Sequence, residues 1–222
     1  MDNIHDLGGM HGFGPVPIES EGYTFKHEWQ RRAFGLTQSL AGNTPFCADM
    51  HRHKIEQLSA VDYLQMDYFE KWTVATSELM KDAGLVDANE LATGVKSFAV
   101  DLTKHPAVRP DDLVNAMKVG GDYTFPAESR VAAFQVNDTV RVLSNCPSGH
   151  TRVPRYVRGK IGTVCNVEDV FQFADAVAKG EGPAPQHCYL VLFKATDLWG
   201  EDAEAPDDVI YLDLAEAYLE RA

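Results

Sequence analysis

Cys188-Tyr189-Leu190-Val191-Leu192-Phe193 is an unbroken run of apolar and β-branched side chains, preceded by the turn-rich Lys179-Gly180-Glu181-Gly182-Pro183-Ala184-Pro185. Three similar runs surround it: Thr139-Val140-Arg141-Val142-Leu143, Gly162-Thr163-Val164-Cys165-Asn166-Val167 and Val209-Ile210-Tyr211-Leu212-Asp213-Leu214. Asn145-Cys146-Pro147-Ser148-Gly149 breaks the chain between the first two. Short runs of this composition, punctuated by Gly and Pro, read as strands. Four or five of them in about 95 residues predict a small β-barrel or roll of the SH3-like kind over residues 127–222. Residues 174–178 read as one helical turn inside it.

Upstream of Phe125-Pro126 the period changes from two to about 3.6. Phe25, Trp29, Ala33, Leu36 and Leu40 share one helical face, with a stop at Ala41-Gly42-Asn43. A second helix is expected over residues 48–57. Ser59-Ala60-Val61-Asp62 resembles a capping box opening the longest periodic stretch, through Leu64, Tyr68, Trp72, Ala75 and Leu79 to a C-cap at Gly84. Asp87-Ala88-Asn89-Glu90 starts a short helix ending at Gly94, and residues 110–119 form another, closed by Gly120-Gly121. Residues 25–126 are therefore a helical domain, and the chain as a whole is α+β.

Residues 1–24 hold Gly8, Gly9, Gly12, Gly14, Gly22, Pro15 and Pro17, which interrupt any helix or central strand. Ile4, Met10, Phe13, Val16 and Tyr23 are spaced along them. Such an extended arm builds no core of its own. It either frays or lies on another surface, its own domain's or a partner's.

The 222 residues carry a formal net charge of −13, with 45% hydrophobic and 24% charged residues. These values are those of a globular chain able to bury a core. The acidic balance argues against a duplex nucleic-acid binder, which needs cations to displace phosphate counterions. No apolar run approaches the roughly 18–20 residues that span a bilayer, and the N-terminus lacks a signal-peptide pattern, so the expected location is cytoplasmic. Cys47, Cys146, Cys165 and Cys188 lie far apart in sequence, and reduced thiols are expected. Cys47 and His51, at i and i+4, share a face. His51 and His53, however, point about 200° apart, and no third ligand is evident, so the chain is expected to bind no metal.

One charge feature stands out. Arg152, Arg155, Arg158 and Lys160 fall within nine residues, and not one carboxylate occurs from Thr139 to Val167. Arginine suits bidentate recognition of multi-oxygen anions. The loop is either an anion or partner contact, or is solvated or salt-bridged internally. Tyr68, Phe69 and Trp72 adjoin on one helix, as core or as a pocket wall. No nucleophile elbow, Walker loop or His-Glu-x-x-His pair is present.

Taken together, several stretches resemble the β subunit of nitrile hydratase. The opening Met1-Asp2-Asn3-Ile4-His5-Asp6-Leu7-Gly8-Gly9-Met10-His11-Gly12-Phe13-Gly14-Pro15 is similar to that family's N-terminal arm, and Glu28-Trp29 to its first helix. Arg52-His53-Lys54-Ile55-Glu56-Gln57, Tyr63-Leu64 and Tyr68 follow in order. Gly149-His150-Thr151-Arg152, Tyr156-Val157-Arg158-Gly159-Lys160-Ile161-Gly162 and Leu198-Trp199-Gly200 complete the match.

The resemblance implies an arm and helices wrapping an α subunit, then a small barrel, in an αβ heterodimer assembling further to α2β2. It implies hydration of nitriles to amides at an Fe(III) or Co(III) centre held by the α subunit, two of whose cysteines are oxidised, with no cofactor bound by this chain. The nucleophile is a cysteine sulfenate oxygen or an activated water. By motif, Arg52 and Arg152 would hydrogen-bond the oxidised cysteines, and Tyr68 and Trp72 would position substrate. His51 stands where cobalt enzymes often carry an aromatic, and Asp67-Tyr68-Phe69 replaces a common Pro-Tyr-Tyr, which implies a more polar pocket. His150, Arg155, Tyr156 and Arg158 would face the partner. Rival readings are a thiocyanate-hydrolase-like subunit, whose helical and barrel halves lie on separate chains, and a non-catalytic activator or binding module.

Overall fold

A computed structural model describes residues 2–18, 24–41, 44–126 and 130–222. The expected helix stop at Gly42-Asn43, and Gly22 and Tyr23 of the arm, lie outside them. The chain divides into two compact units. One gathers Asp2, Asp6–Met10 and residues 122–222, the other Asn3–His5 and residues 11–121.

The helical unit contains α1 (Glu28–Ala41), α2 (Ala48–Glu56), α3 (Ala60–Gln65), α4 (Tyr68–Asp82), α5 (Ala88–Thr93) and α6 (Pro110–Val119). At the start of α1, Gln30 Oε1 accepts the N–H groups of Lys26 and His27 at 2.5 and 3.1 Å, satisfying donors that have no intrahelical partner. The long helix expected from Ser59 is two helices. Met66 is extended (ψ 138°), and Asp67 N–H donates to Glu70 Oε2 at 2.7 Å, so a capping box begins α4 anew. α1 and α2 pack on α4, burying Ala33, Thr37, His51, Phe69, Ala75, Thr76 and Leu79. The face of α1 is not the one expected. Gln30, Ala33 and Thr37 point inward while Trp29 and Leu36 stay exposed. No residue of α3, α5 or α6 is buried.

The other unit holds β1 (Thr124–Phe125), β2 (Thr139–Val142), β3 (Ile161–Phe171), α7 (Ala174–Val177), β4 (Gln186–Lys194), α8 (Ala195–Trp199), β5 (Val209–Ala215) and β6 (Leu219–Arg221). The strands pair antiparallel in the order β5-β4-β3-β2-β6, with β1 on β3. Along β4 alternate side chains, Tyr189, Val191 and Phe193, are fully buried, as the period of a strand dictates. They meet Val140, Val142, Val157, Val164 and Leu214 in one core. Gly162 has no alternative there, because a Cβ would lie 2.6 Å from Val191 Cγ1 and 2.8 Å from Leu192 O.

The sheet is an open path, so the hydrogen-bonded barrel closure expected is absent among the described residues. Two irregularities in the β3–β4 register, at Val164/Asn166 and Val167/Val170, bend β3, since a bulge adds local twist. The chain then passes from one end of the path to the other through a 3-10 turn, Glu216–Tyr218, between β5 and β6. No described helix is long and apolar enough to cross a membrane.

Candidate functional site

The helical unit presents Arg52, Tyr68 and Trp72 on α2 and α4. Arg52 donates from Nη1 to Asp49 Oδ1 at 3.1 Å, one helical turn back, and its side chain is 50% exposed. Its other donors have no hydrogen-bond partner among the described residues. Tyr68, at the first position of α4, is 63% exposed. Its ring lies 5.2 Å from Phe69 and 5.5 Å from Trp72, while its hydroxyl bonds to no described residue. Trp72 is half-buried and stacks on Phe34 at 6.0 Å. Within the stripe Phe69 is core, Tyr68 projects and Trp72 is half-buried between them.

His51 lies behind this stripe. It is buried, edge-on to Trp72 at 5.3 Å, with Nε2 3.3 Å from both Trp72 O and Thr76 Oγ1. Thr76 Oγ1 is 2.8 Å from Thr37 Oγ1, which extends the polar chain to α1. Burial, with a smaller contribution from the Arg52 charge, pushes the imidazole pKa below 6.5, against the Trp72 backbone bond. The ring is therefore neutral at pH 7.

In the sheet unit the basic loop divides sharply. Arg155 and Arg158 pair with Asp6 and Asp2 of the N-terminal arm, and Lys160 Nζ donates to Asp197 O and Leu198 O at 3.0 and 2.9 Å. Tyr156 stacks on Trp199 at 5.9 Å and is half-buried. The side chain of His150 is wholly buried. Arg152 is exposed, and its guanidinium has no hydrogen-bond or ion-pair partner among the described residues. The basic loop is thus salt-bridged internally at Arg155 and Arg158, two of the residues expected to face a partner, and the Arg152 guanidinium is left with its donors available.

The loop rests on a buried polar group. Tyr218 OH accepts the N–H of Arg152 at 3.2 Å and donates to Asp175 Oδ1. Burial raises the Asp175 pKa, opposed by the Tyr218 bond and the nearby His150 and Lys179; burial and the Asp175 charge raise that of Tyr218. Neither residue was singled out in the sequence, nor were Asp2 and Asp6. The carboxylate-free stretch around the four cations was the available signal, since those cations had to find anions from elsewhere in the chain.

The thiols do not fit a metal claw. Cys188 is pushed up to about 11 by burial and by Asp213, the Cys146 thiol donates to Asp2 Oδ2 at 3.0 Å, and Cys165 donates to Thr163 O at 3.7 Å. All four cysteines are free.

Fold and site define an α+β chain with an open aromatic stripe and, in each unit, a motif arginine with donors left available. Residues 1–118 match the family described as nitrile hydratase beta subunit, N-terminal, and residues 123–221 match its C-terminal counterpart. The chain belongs to the nitrile hydratase β-subunit family. It is 38% identical to a nitrile hydratase subunit beta of Pseudomonas putida, with all of both chains aligned. It is 37% identical to the low-molecular weight cobalt-containing nitrile hydratase subunit beta of Rhodococcus rhodochrous, over 99% of each. A chain of thiocyanate hydrolase from Thiobacillus thioparus superposes with a TM-score of 0.42 and 26% identity, over 53% of this chain and 99% of that one.

Proposed function

We propose that this chain is the β subunit of a nitrile hydratase, active only with an α subunit, that adds water across the C≡N bond of a nitrile to give an amide. The observation that carries this reading is the uninterrupted match of both family halves, 1–118 and 123–221, on one chain. A trivalent iron or cobalt ion in the α subunit would supply Lewis-acid polarisation of the nitrile. No metal is assigned to this chain in this reading.

In this reading Arg52 and Arg152 donate charge-assisted hydrogen bonds to the oxygens of the partner's oxidised cysteines. Such oxygens, desolvated at an interface, need donors that stay charged, and guanidinium does so with several N–H groups. That the Arg152 guanidinium, unlike the side chains of Arg155, Arg158 and Lys160, has no partner among the described residues supports the assignment. Tyr68 offers an uncommitted hydroxyl for orienting substrate, and Trp72 an apolar wall. His51 contributes from behind, by seating Trp72. Arg155, Tyr156 and Arg158 act at the interface through the arm they hold, and His150 from beneath the Arg152 loop. The sheet unit is a small SH3-like roll closed by chain connectivity, and αβ pairs assemble to α2β2 in the cytoplasm.

The test is co-expression with the α subunit of the same host, followed by native mass spectrometry, metal analysis and a nitrile hydration assay. An αβ complex carrying about one iron or cobalt per pair and forming amide is expected. A metal-free monomer that ignores the α subunit would sink the reading in favour of a binding module.

A further inference from the structure

Two of the four cations in the basic loop are held by the first six residues of the chain. Asp6 Oδ2 accepts the backbone N–H of Arg155 at 2.8 Å and lies 3.4 Å from its Nε, while Arg155 Nη2 donates to the Asp6 carbonyl at 2.9 Å. Asp2 Oδ1 accepts from Arg158 Nη1 at 2.5 Å. Arg158 in turn donates from Nη2 to the Val153 carbonyl at 3.0 Å. The side chains of Asp6 and Arg158 are each only 9% exposed, so salt screens these pairs less than an open surface bridge. The Cys146 thiol foremost, and Arg158 after it, hold the Asp2 carboxyl below the usual carboxylate range against its desolvation.

The strap continues beyond the charges. A Cβ on Gly8 would lie 2.7 Å from Tyr156 Cε1, and one on Gly9, where φ is +72°, 3.1 Å from Trp199 Nε1. Only glycine lets the backbone lie this close to both rings. The Leu7 carbonyl accepts a turn bond from Met10 N–H at 3.2 Å, closing the seated segment.

These ties converge on the residues that follow Arg152. The Val153 carbonyl is held by Arg158, itself held by Asp2. The Arg155 N–H, which opens the 3-10 turn Arg155–Val157, is held by Asp6. We infer that Asp2 and Asp6 are positioning residues for Arg152, and that the N-terminal strap sets where its guanidinium emerges. This rests on the proposed role of Arg152. A donor that must meet a partner's oxygens at the reacting centre needs its support held as tightly as itself, because misplacement by about 1 Å costs on the order of a hundredfold in rate.

The experiment uses the αβ complex carrying Asp6→Ala, Asp6→Asn, Asp2→Asn, Arg152→Lys or the double Asp6→Ala/Arg152→Lys, with kcat and KM measured for one small nitrile. Amide hydrogen exchange over residues 152–158 is followed in the full chain. Asp6→Ala is expected to lower kcat roughly tenfold with KM little changed, and to speed exchange at Arg155. Asp6→Asn, which keeps an acceptor for that N–H, loses less. The double variant is no slower than Arg152→Lys alone, because a support has nothing left to position. Independent, multiplying losses would make the strap merely structural and overturn the inference. Native exchange and native kcat in Asp6→Ala and Asp2→Asn, with Arg152→Lys impaired, would overturn it alone, whereas a fully active Arg152→Lys would overturn the parent reading with it.

Discussion

The two units spend their apolar residues in opposite ways. In the sheet unit nearly every inward position of β2, β3 and β4 is sealed: Val140, Val142, Val164, Tyr189, Val191 and Phe193 are wholly buried. In the helical unit a small core of α1, α2 and α4 coexists with α5 and α6, of which nothing is buried. Leu102, Val114, Met117 and Val119 stand exposed there, Val119 at 85%. Scattered apolar residues on a surface need no explanation, but a whole amphipathic helix without a buried residue does. The sheet unit is built to hold its own shape. The helical unit leaves the apolar residues of α6 uncovered in this chain.

The sharpest attack on this contrast is a core truncation. Phe193→Ala should cost about 3–5 kcal/mol by the loss of transfer energy and the cavity left, whereas Val119→Ala should stay within about 0.5 kcal/mol. Urea unfolding of the free chain measures both, and similar losses would erase the distinction. Next in size is the effect of the two arginines on catalysis. Arg52→Lys and Arg152→Lys should each lower nitrile hydration by the complex about a hundredfold, the scale of removing a preorganised donor. Unaltered unfolding curves beside that loss would assign the effect to chemistry, and intact hydration would end the assignment.

A smaller effect probes the uncovered helix. Val114→Asp combined with Met117→Asp should leave the free chain's stability within about 0.5 kcal/mol yet weaken α-subunit binding more than about tenfold, or 1.4 kcal/mol. Surface plasmon resonance on the two chains reads it. Unchanged affinity would mean that α6 faces solvent in the assembly.

Much of this organisation was legible. α6 begins at Pro110 and ends before Gly120 as its punctuation demands, and β4 and β5 follow their apolar runs to within two residues. What was illegible depended on contacts between distant residues. The inward face of α1 carries Gln30 and Thr37, two polar residues that no hydrophobic period selects, because Thr37 bonds Thr76 on α4. The three-residue β6 is too short to show a period and exists by pairing with β2. Arg52, Arg152, Tyr68 and Trp72 were singled out by the family motif alone. That Arg155 and Arg158 turn inward to the arm could not be, since Asp2 and Asp6 lie about 150 residues away.

The smallest expected effect is also the one that separates the units by sign. His51 in the helical unit is buried neutral, with its folded pKa below 6.5. As pH falls from 7, the unfolded chain takes up this proton first, so stability declines from about pH 6.5 downward until the folded value is passed, and then levels off. Asp175 in the sheet unit behaves oppositely, since burial raises its folded pKa above 3.8. The native chain binds that proton first, so the Asp175 contribution improves as pH falls from its raised value toward 3.8. Acid should therefore loosen the helical unit before the sheet unit. His51→Gln retains a donor toward Trp72 O and Thr76 but cannot titrate, so it should flatten the decline below pH 6.5, while Asp175→Asn should leave that decline intact. Hydrogen exchange of α4 and β4 amides between pH 7 and 5, corrected for intrinsic rates, reads the two units separately, and an equal acid response in both variants would show that His51 does not carry the difference.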